Sequence, residues 1–541
     1  MNRCHVQAIL VLTGVTLAVA AAGQALAQAV AAERTKQLDT SGHVRAKLLA
    51  GAYGGYVAIA LPIALEADDA AAYALSLTFI PLSSFALTSE MVSDMSLSRG
   101  DVMTASALTW FGAMQGHLWA AVGDADGFES ARAGLLSSAL GLGVGVGLAK
   151  SRDLSAGHAA AIGGGHWWGT AYGYLAANRI EDAPGADVAR AAAIGSATGF
   201  VAGAVGGSSL TLKRVRYMHL GGLVGWLYSS GLSVVVDANS RQASYTQMAG
   251  ITAGATTALL LTGRGDAEPV VGAWDHSGRL RLQAFSALYG AYLATLIPRA
   301  AGVENNDENK DTYALLYMHV PTGALLGTTW LTRHRAVPRH SAIAISSLTW
   351  FGALQGALWG DRGDGSDERT ATASLIGSAV GLGMGSAVAA AGSMSEGHAG
   401  MLGVGNWWGA LLGTYIGAMP EDAESDGVLT SAAIGSATGV AVVAMGLGRD
   451  WELSRAHSTH VGGLVGTLTG LGILIGVRPS TSSSAFGILS VATGAGLAFG
   501  ALNSDVGESA KDKLSSAQPI LNWQKDPEGK RRAIVGLSYQ F

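Results

Sequence analysis

The chain predicts an all-α fold: tandem glycine-zipper helical hairpins, about sixteen helices in two duplicated halves, with a short C-terminal β-hairpin. Three observations carry this. Apolar segments of membrane length follow one another through most of the 541 residues. Whole words recur in the second half: Leu108–Ala113 returns as Leu348–Ala353 and Ala193–Gly199 as Ala433–Gly439, an offset of 240 residues each time. Small residues also fall on every fourth position, as at Gly157, Ala161, Gly165, Gly169 and Gly173.

The N-terminus reads as a secretory signal over residues 1–27. Arg3 is followed by the apolar run Val6–Ala22 and the small-x-small site Ala25-Leu26-Ala27, which sets the mature start near Gln28. The single cysteine, Cys4, lies in that leader, so neither disulfide nor thiol chemistry is expected of the mature chain. Residues 28–43 form an N-terminal linker, 44–263 the first half, 264–279 a second linker, 280–503 the second half and 504–541 the tail.

Within each half a weaker repeat of about 57 residues is marked by Gly54, Gly112, Gly169 and Gly225, then by Gly290, Gly352, Gly409 and Gly466. In each unit one segment ends in an acidic loop and the next returns to a basic turn. Acidic loops include Glu66/Asp68/Asp69, Asp124/Asp126/Glu129, Glu181/Asp182/Asp187, Glu304/Asp307/Glu308 and Glu421/Asp422/Glu424/Asp426. Basic turns include Lys150/Arg152, Lys213/Arg214/Arg216, Arg333/Arg335/Arg339 and Arg449/Arg455.

Glycine decides between helix and strand. On a helix, Gly165, Gly169 and Gly173, with Gly405, Gly409 and Gly413 in the second half, line one smooth stripe that a neighbouring backbone can approach. Each interior glycine costs about 0.5–1 kcal/mol relative to alanine, which only close packing offsets. Trp167, Trp168, Trp407 and Trp408 are expected to fill space around these stripes or to sit at a membrane interface. Ser155, Ser244 and Ser395 are candidate N-caps.

The alternative is an outer-membrane β-barrel of 16–18 strands that acts as a pore or transporter. Gly141, Gly143, Gly145 and Gly147 alternate, and Pro81 and Pro321 would kink helices. Against it, the segments are about twice the length of a membrane strand, and a wide barrel needs a polar lumen.

In the tail, Pro519–Trp523 and Arg532–Phe541 read as two strands around Lys525–Gly529. The alternation of Leu537, Tyr539 and Phe541 resembles the terminal strand by which outer-membrane proteins are recognised for assembly. The Ser-x-Gly-His-Ala and Trp-Trp-Gly words at 155–169 and 395–409, with Gly-Gly-Leu-Val-Gly at 221–225 and 462–466, resemble a group of uncharacterised Gly/Trp-rich exported bacterial repeat proteins. That resemblance implies export and brings no activity with it.

Composition narrows the role. Hydrophobic residues are 49%, charged residues 13% and mean hydropathy is +0.31, whereas soluble domains carry about 25% charge. A net charge of −5 argues against nucleic acid as a partner. Lys36, Arg45 and Lys47 precede the first segment, so an inner-membrane topology would put the basic turns outside, against the positive-inside bias. Gln115, His117, His158 and His166 also make poor inner-membrane spans. The outer membrane or periplasm is the expected location, with the membrane and other envelope proteins as partners.

No catalytic set stands out. His158/His398 and His219/His460 occupy equivalent places, yet no pair has metal-ligand spacing, and His117 and His166 become Ala357 and Asn406 in the second half. The acidic loops lack the twelve-residue calcium pattern. No phosphate loop and no nucleophile with its base is present. A non-enzymatic envelope protein without cofactor is expected, with a structural or interaction role at the outer membrane.

Overall fold

The computed structural model describes residues 42–92, 95–180, 183–262, 278–333, 335–362, 365–392, 394–445 and 451–502, and the backbone alone of 517–525 and 531–539. The leader, Phe541, Glu181, Asp182 and Arg449 therefore lie outside the described residues, as do the side chains of Leu537 and Tyr539.

The chain is all-α. Sixteen long helices form eight antiparallel hairpins: α1 (His43–Ala64) with α2 (Ala70–Met91), α3 (Arg99–Val122) with α4 (Gly127–Ser151), α5 (Ala156–Ala177) with α6 (Gly185–Gly206), and α7 (Leu212–Val235) with α8 (Ser240–Leu261). Then follow α9 (Arg279–Ala300) with α10 (Lys310–Thr332), α11 (Arg339–Gly360) with α12 (Asp367–Ala391), α13 (Glu396–Gly417) with α14 (Ser425–Met445), and α15 (Leu453–Val477) with α16 (Ser482–Leu502). The membrane-length segments are thus helices, and the β-barrel alternative is set aside. Alternating glycines are explained by helical geometry: a methyl group at Gly141 would meet the Leu108 carbonyl and one at Gly145 would meet Ala105, while Gly143 and Gly147 face open space.

Helix starts follow local capping chemistry. The hydroxyls of Ser155 and Ser395 accept the amides of His158 and His398 at 3.1 and 3.2 Å. Ser244, a candidate cap on sequence, lies inside α8 instead. The true cap is Asn239, whose side chain accepts the Gln242 amide while Gln242 reaches back to the Asn239 amide. Pro81 and Pro321 lie within α2 and α10, each against a glycine of its hairpin partner, Gly54 and Gly290.

Inside each hairpin the contact is backbone on backbone. A Cβ at Gly165 would fall on the carbonyl of Gly199, and one at Gly199 on that of Gly165. Gly169 and Gly195 face each other in the same way, as do Gly405 with Gly439 and Gly409 with Gly435. Gly173 and Gly413 meet the carbonyls of Ala191 and Ser431. Close approach of this kind maximises dispersion contact and needs no large side chain.

The hairpins close into a ring. Odd helices pack on their odd neighbours, α1 on α3, α3 on α5 and so on to α13 on α15, and α15 returns to pack on α1 and α2. Each even helix sits outside, in the groove between its own partner and the preceding odd helix: α4 on α1, α6 on α3, α8 on α5, α10 on α7 and α12 on α9. Among the described residues, odd helices on opposite sides do not pack on one another, so the inner ring surrounds a central space. Its connections sort by charge, because every odd helix begins at one rim and every even helix at the other.

The outside of the ring is apolar. Leu136, Leu140 and Val144 on α4 stand exposed one turn apart, as do Ile376, Val380 and Met384 on α12. Leu75, Phe79 and Leu82 on α2 and Ile434, Val442 and Met445 on α14 continue the belt. Among the described residues nine helices are long and apolar enough to cross a membrane, and six of them are the even helices α2, α4, α6, α12, α14 and α16. Their apolar windows are only 17–28% buried, against 39–50% for the odd helices α1, α11 and α15. The most apolar surface is therefore the least covered.

Candidate functional site

The inner ring brings together a basic mouth at the rim where odd helices start. Arg45 and Arg281 are the third residues of α1 and α9, and Arg99 and Arg339 the first of α3 and α11. Arg216 and His457 are the fifth residues of α7 and α15. Six of the eight inner helices thus place a basic side chain in or just after the first turn, at one level of the ring.

These groups sense each other across the opening. Arg45 lies within electrostatic reach of Arg216 and Arg339, and Arg99 within reach of Arg45, Arg216 and Arg339. Arg281 senses Arg339 and Glu396, and His457 senses Arg45, Arg281 and Arg339. Since α3 and α11 stand on opposite sides of the ring, coupling between Arg99 and Arg339 means that both side chains reach inward.

Two carboxylates at this rim are already engaged. Asp101 caps its own helix by accepting the Ser98 amide at 2.9 Å. Glu396 lies 3.4 Å from Arg339. The side-chain Nε atoms of Arg214 and Arg279, at the same rim, are buried without a hydrogen-bond partner.

Helix dipoles sharpen the asymmetry. At the far rim the even helices begin with Glu129, Asp187, Asp311, Asp367, Glu368 and Asp426, carboxylates placed where the helix N-terminus is positive. At the basic mouth arginine occupies that same positive position, which is unfavourable by about 0.3–1 kcal/mol per group at an exposed terminus.

Below the mouth the lumen is aromatic. On α5, His166 faces Phe111 of α3 and Trp168 lies against Gly222 of α7, so Trp167, between them, points inward. Trp167 and its counterpart Trp407 on α13 are 57% and 55% exposed. Trp408 instead turns sideways and donates from Nε1 to Nδ1 of His460 at 3.0 Å. The paired tryptophans therefore split by position: the first of each pair lines the lumen and the second packs between hairpins.

The histidines are dispersed. His158 Nε2 lies 2.7 Å from the Ala204 carbonyl, whereas His398 is buried and stacks on Trp451. His117 joins three helices, with Nε2 3.0 Å from the Tyr56 hydroxyl and Nδ1 3.0 Å from Ser130 Oγ. Buried His166 becomes Asn406, which accepts from Ser436 Oγ at 2.8 Å. Among the described residues no group of three or more potential metal ligands converges.

Sequence reading missed the mouth. Arg216 and Arg339 were legible as basic turns, but their convergence with Arg45, Arg99 and Arg281 requires the ring to close. The polar positions Gln115 and Gln355 have a matching explanation. Each donates Nε2 to a backbone carbonyl, Ala193 and Ala433, at 3.1 and 3.0 Å, and accepts from the indole of Trp119 or Trp359.

What the fold and rim define is a closed ring of helical hairpins with an apolar outside and a basic mouth. No family model, no curated protein and no solved structure matches this chain.

Proposed function

We propose that the chain is an exported, non-enzymatic cell-envelope protein that sits within a lipid bilayer, with a structural or interaction role at the outer membrane. The observation that carries this is the belt: six outer helices combine membrane-length apolar windows with lower burial than the three inner helices of comparable length and hydropathy. Soluble monomers rarely expose contiguous apolar patches beyond a few hundred Å². A helix of 22 residues such as α2 spans about 33 Å at 1.5 Å per residue, close to the hydrocarbon thickness of a bilayer. Charges on the outer helices cluster near their ends, as Glu129 and Lys150 do on α4.

The halves 44–263 and 280–503 are, in this reading, duplicates of one four-hairpin unit. Supporting it, hydrogen bonds recur at the same spacing in each half, Gln115 to Ala193 and Gln355 to Ala433. The tail forms a β-hairpin in which Ala517–Lys525 and Arg531–Tyr539 pair antiparallel, Pro519 opposite Leu537. Its alternating last residues support a role in assembly at the outer membrane.

Carbonate extraction of fractionated envelopes tests the proposal. The protein is expected in the carbonate-resistant outer-membrane pellet; recovery wholly in the soluble periplasm would overturn it. A strand-type far-UV circular dichroism spectrum from the detergent-purified protein would overturn the helical ring itself.

A further inference from the structure

We propose that the basic mouth of the inner ring binds a multivalent phosphate group, held by Arg45, Arg99, Arg216, Arg281 and Arg339. Five guanidinium groups from five helices are drawn to one level of the ring, within electrostatic reach of their like-charged neighbours. Arg216, Arg281 and Arg339 are solvent-exposed, so they are available to a ligand. A mobile cationic side chain on an outer surface can swing away from its neighbours; here the ring fixes the Cα atoms around a shared opening. Among the described residues, Glu396 lies 3.4 Å from Arg339 and Asp101 accepts the Ser98 amide of its own helix cap.

Two general properties select phosphate. Guanidinium groups recognise phosphate oxygens bidentately, and several of them arranged around a point favour a polyanion over a single carboxylate. The N-termini of the inner helices aim at the same opening, and helix N-termini favour anions. The arginines also occur as the pairs Arg45/Arg281 and Arg99/Arg339 at matching helix positions. A doubled set around a ring suits a ligand carrying more than one phosphate charge. Such a group can reach the mouth as a free polyphosphate from the aqueous side or as the headgroup of a phosphate-bearing lipid.

The test uses the purified full-length protein. Isothermal titration in detergent with inorganic tripolyphosphate reads the free-phosphate arm. Tryptophan-fluorescence titration on reconstitution into nanodiscs with and without phosphatidic acid reads the lipid arm. Saturable binding that weakens with added salt is expected in one arm. The Arg99→Gln/Arg339→Gln double variant is expected to weaken it at least tenfold. Arg152→Gln, which alters an exposed charge just past the end of outer helix α4, is expected to leave binding unchanged. Glu396→Gln removes a carboxylate and is expected to tighten binding two- to fivefold, a gain that misfolding would not mimic. Response to tripolyphosphate supports a free anion; response to phosphatidic acid alone supports a headgroup. Absence of saturable binding in both arms for wild-type protein of helical circular dichroism overturns the proposal. So does binding that the double variant and Arg152→Gln weaken equally. The tripolyphosphate titration does not depend on the apolar belt facing lipid, so a soluble periplasmic protein could still pass it.

Discussion

Replacing Gly169 and Gly409 by alanine isolates the force that holds the hairpins. A Cβ at Gly169 would fall on the Gly195 carbonyl oxygen, 2.9 Å from its carbon and 3.0 Å from the Gly199 Cα; at Gly409 the partners are Gly435 and Ser436. All are backbone atoms, so no side chain can rotate aside, and α5 and α13 must move bodily from α6 and α14. Overpacking of a tight interior costs about 1–3 kcal/mol, while alanine recovers about 0.5–1 kcal/mol of helix propensity. The net expected loss is about 1–2 kcal/mol per site, and about 2–4 kcal/mol for the distant pair. At Gly143 and Gly383, on the outer helices α4 and α12, an added methyl group would have nothing within 4 Å. There the same substitution has only its propensity gain, about 0.5–1 kcal/mol each. Reversible unfolding in mixed micelles, followed by far-UV circular dichroism, gives the two midpoints at constant slope. Opposite signs are expected; shifts of the same sign and size would refute backbone contact as the hairpin glue.

Three further outcomes are expected. Ser155→Ala and Ser395→Ala each remove an N-cap acceptor and should cost about 1 kcal/mol in the same unfolding assay; a zero shift at both would contradict the cap geometry. Gln115→Leu and Gln355→Leu leave the Ala193 or Ala433 carbonyl and an indole N–H without their partner. Each should destabilise by about 1–3 kcal/mol and shift tryptophan emission, and an unchanged spectrum would count against it. Single-tryptophan proteins separate lumen from belt: Trp167 should be quenched by aqueous acrylamide and spared by brominated lipid. Trp330, 61% exposed on outer helix α10, should show the reverse.

Much of this architecture was legible in the residues because it rests on local periodicity. The four-residue recurrence of Gly165, Gly169 and Gly173 specifies a smooth helical stripe, and the offset linking Trp110 to Trp350 predicts matching environments. Acidic and basic turns sort correctly because hairpins force alternate connections to opposite ends. What could not be read is radial position. Trp167 and Trp168 are adjacent in sequence, and only the directions of α3 and α7 decide which faces the lumen. Ser244 misled as a cap because Asn239 with Gln242 offers the backbone a reciprocal pair, which outcompetes a lone hydroxyl five residues on. The arginine mouth stayed hidden for a related reason: Arg45 and Arg339 are far apart in sequence, and ring closure alone makes them neighbours.

Closure has a consequence for the halves. Where the first half meets the second, Gly231 of α7 packs against Met318 and, on the placement of a Cβ, 2.7 Å from the Ala314 carbonyl of α10. Where the ring closes, Gly472 of α15 packs against Thr78 and 2.6 Å from the Ala74 carbonyl of α2, while Thr469 donates to the Thr78 carbonyl at 3.3 Å. The two seams use corresponding residues, so covalent continuity from α8 to α9 is not what shapes the first of them. Four hairpins then cover half a turn, and a head-to-tail contact that rotates by half a turn closes after two copies. Residues 42–262 expressed alone should therefore assemble in detergent as a closed dimer, α7 of each copy seated on α2 of the other. Thr78 would stand where Met318 does, a smaller side chain that leaves room at Gly231. Light scattering coupled to gel filtration reads the mass, and Gly231→Leu should abolish the dimer by filling that seam. A fragment that stays monomeric, or that grows into an open series, would show that the seams are not equivalent and that closure depends on the particular residues of the second half.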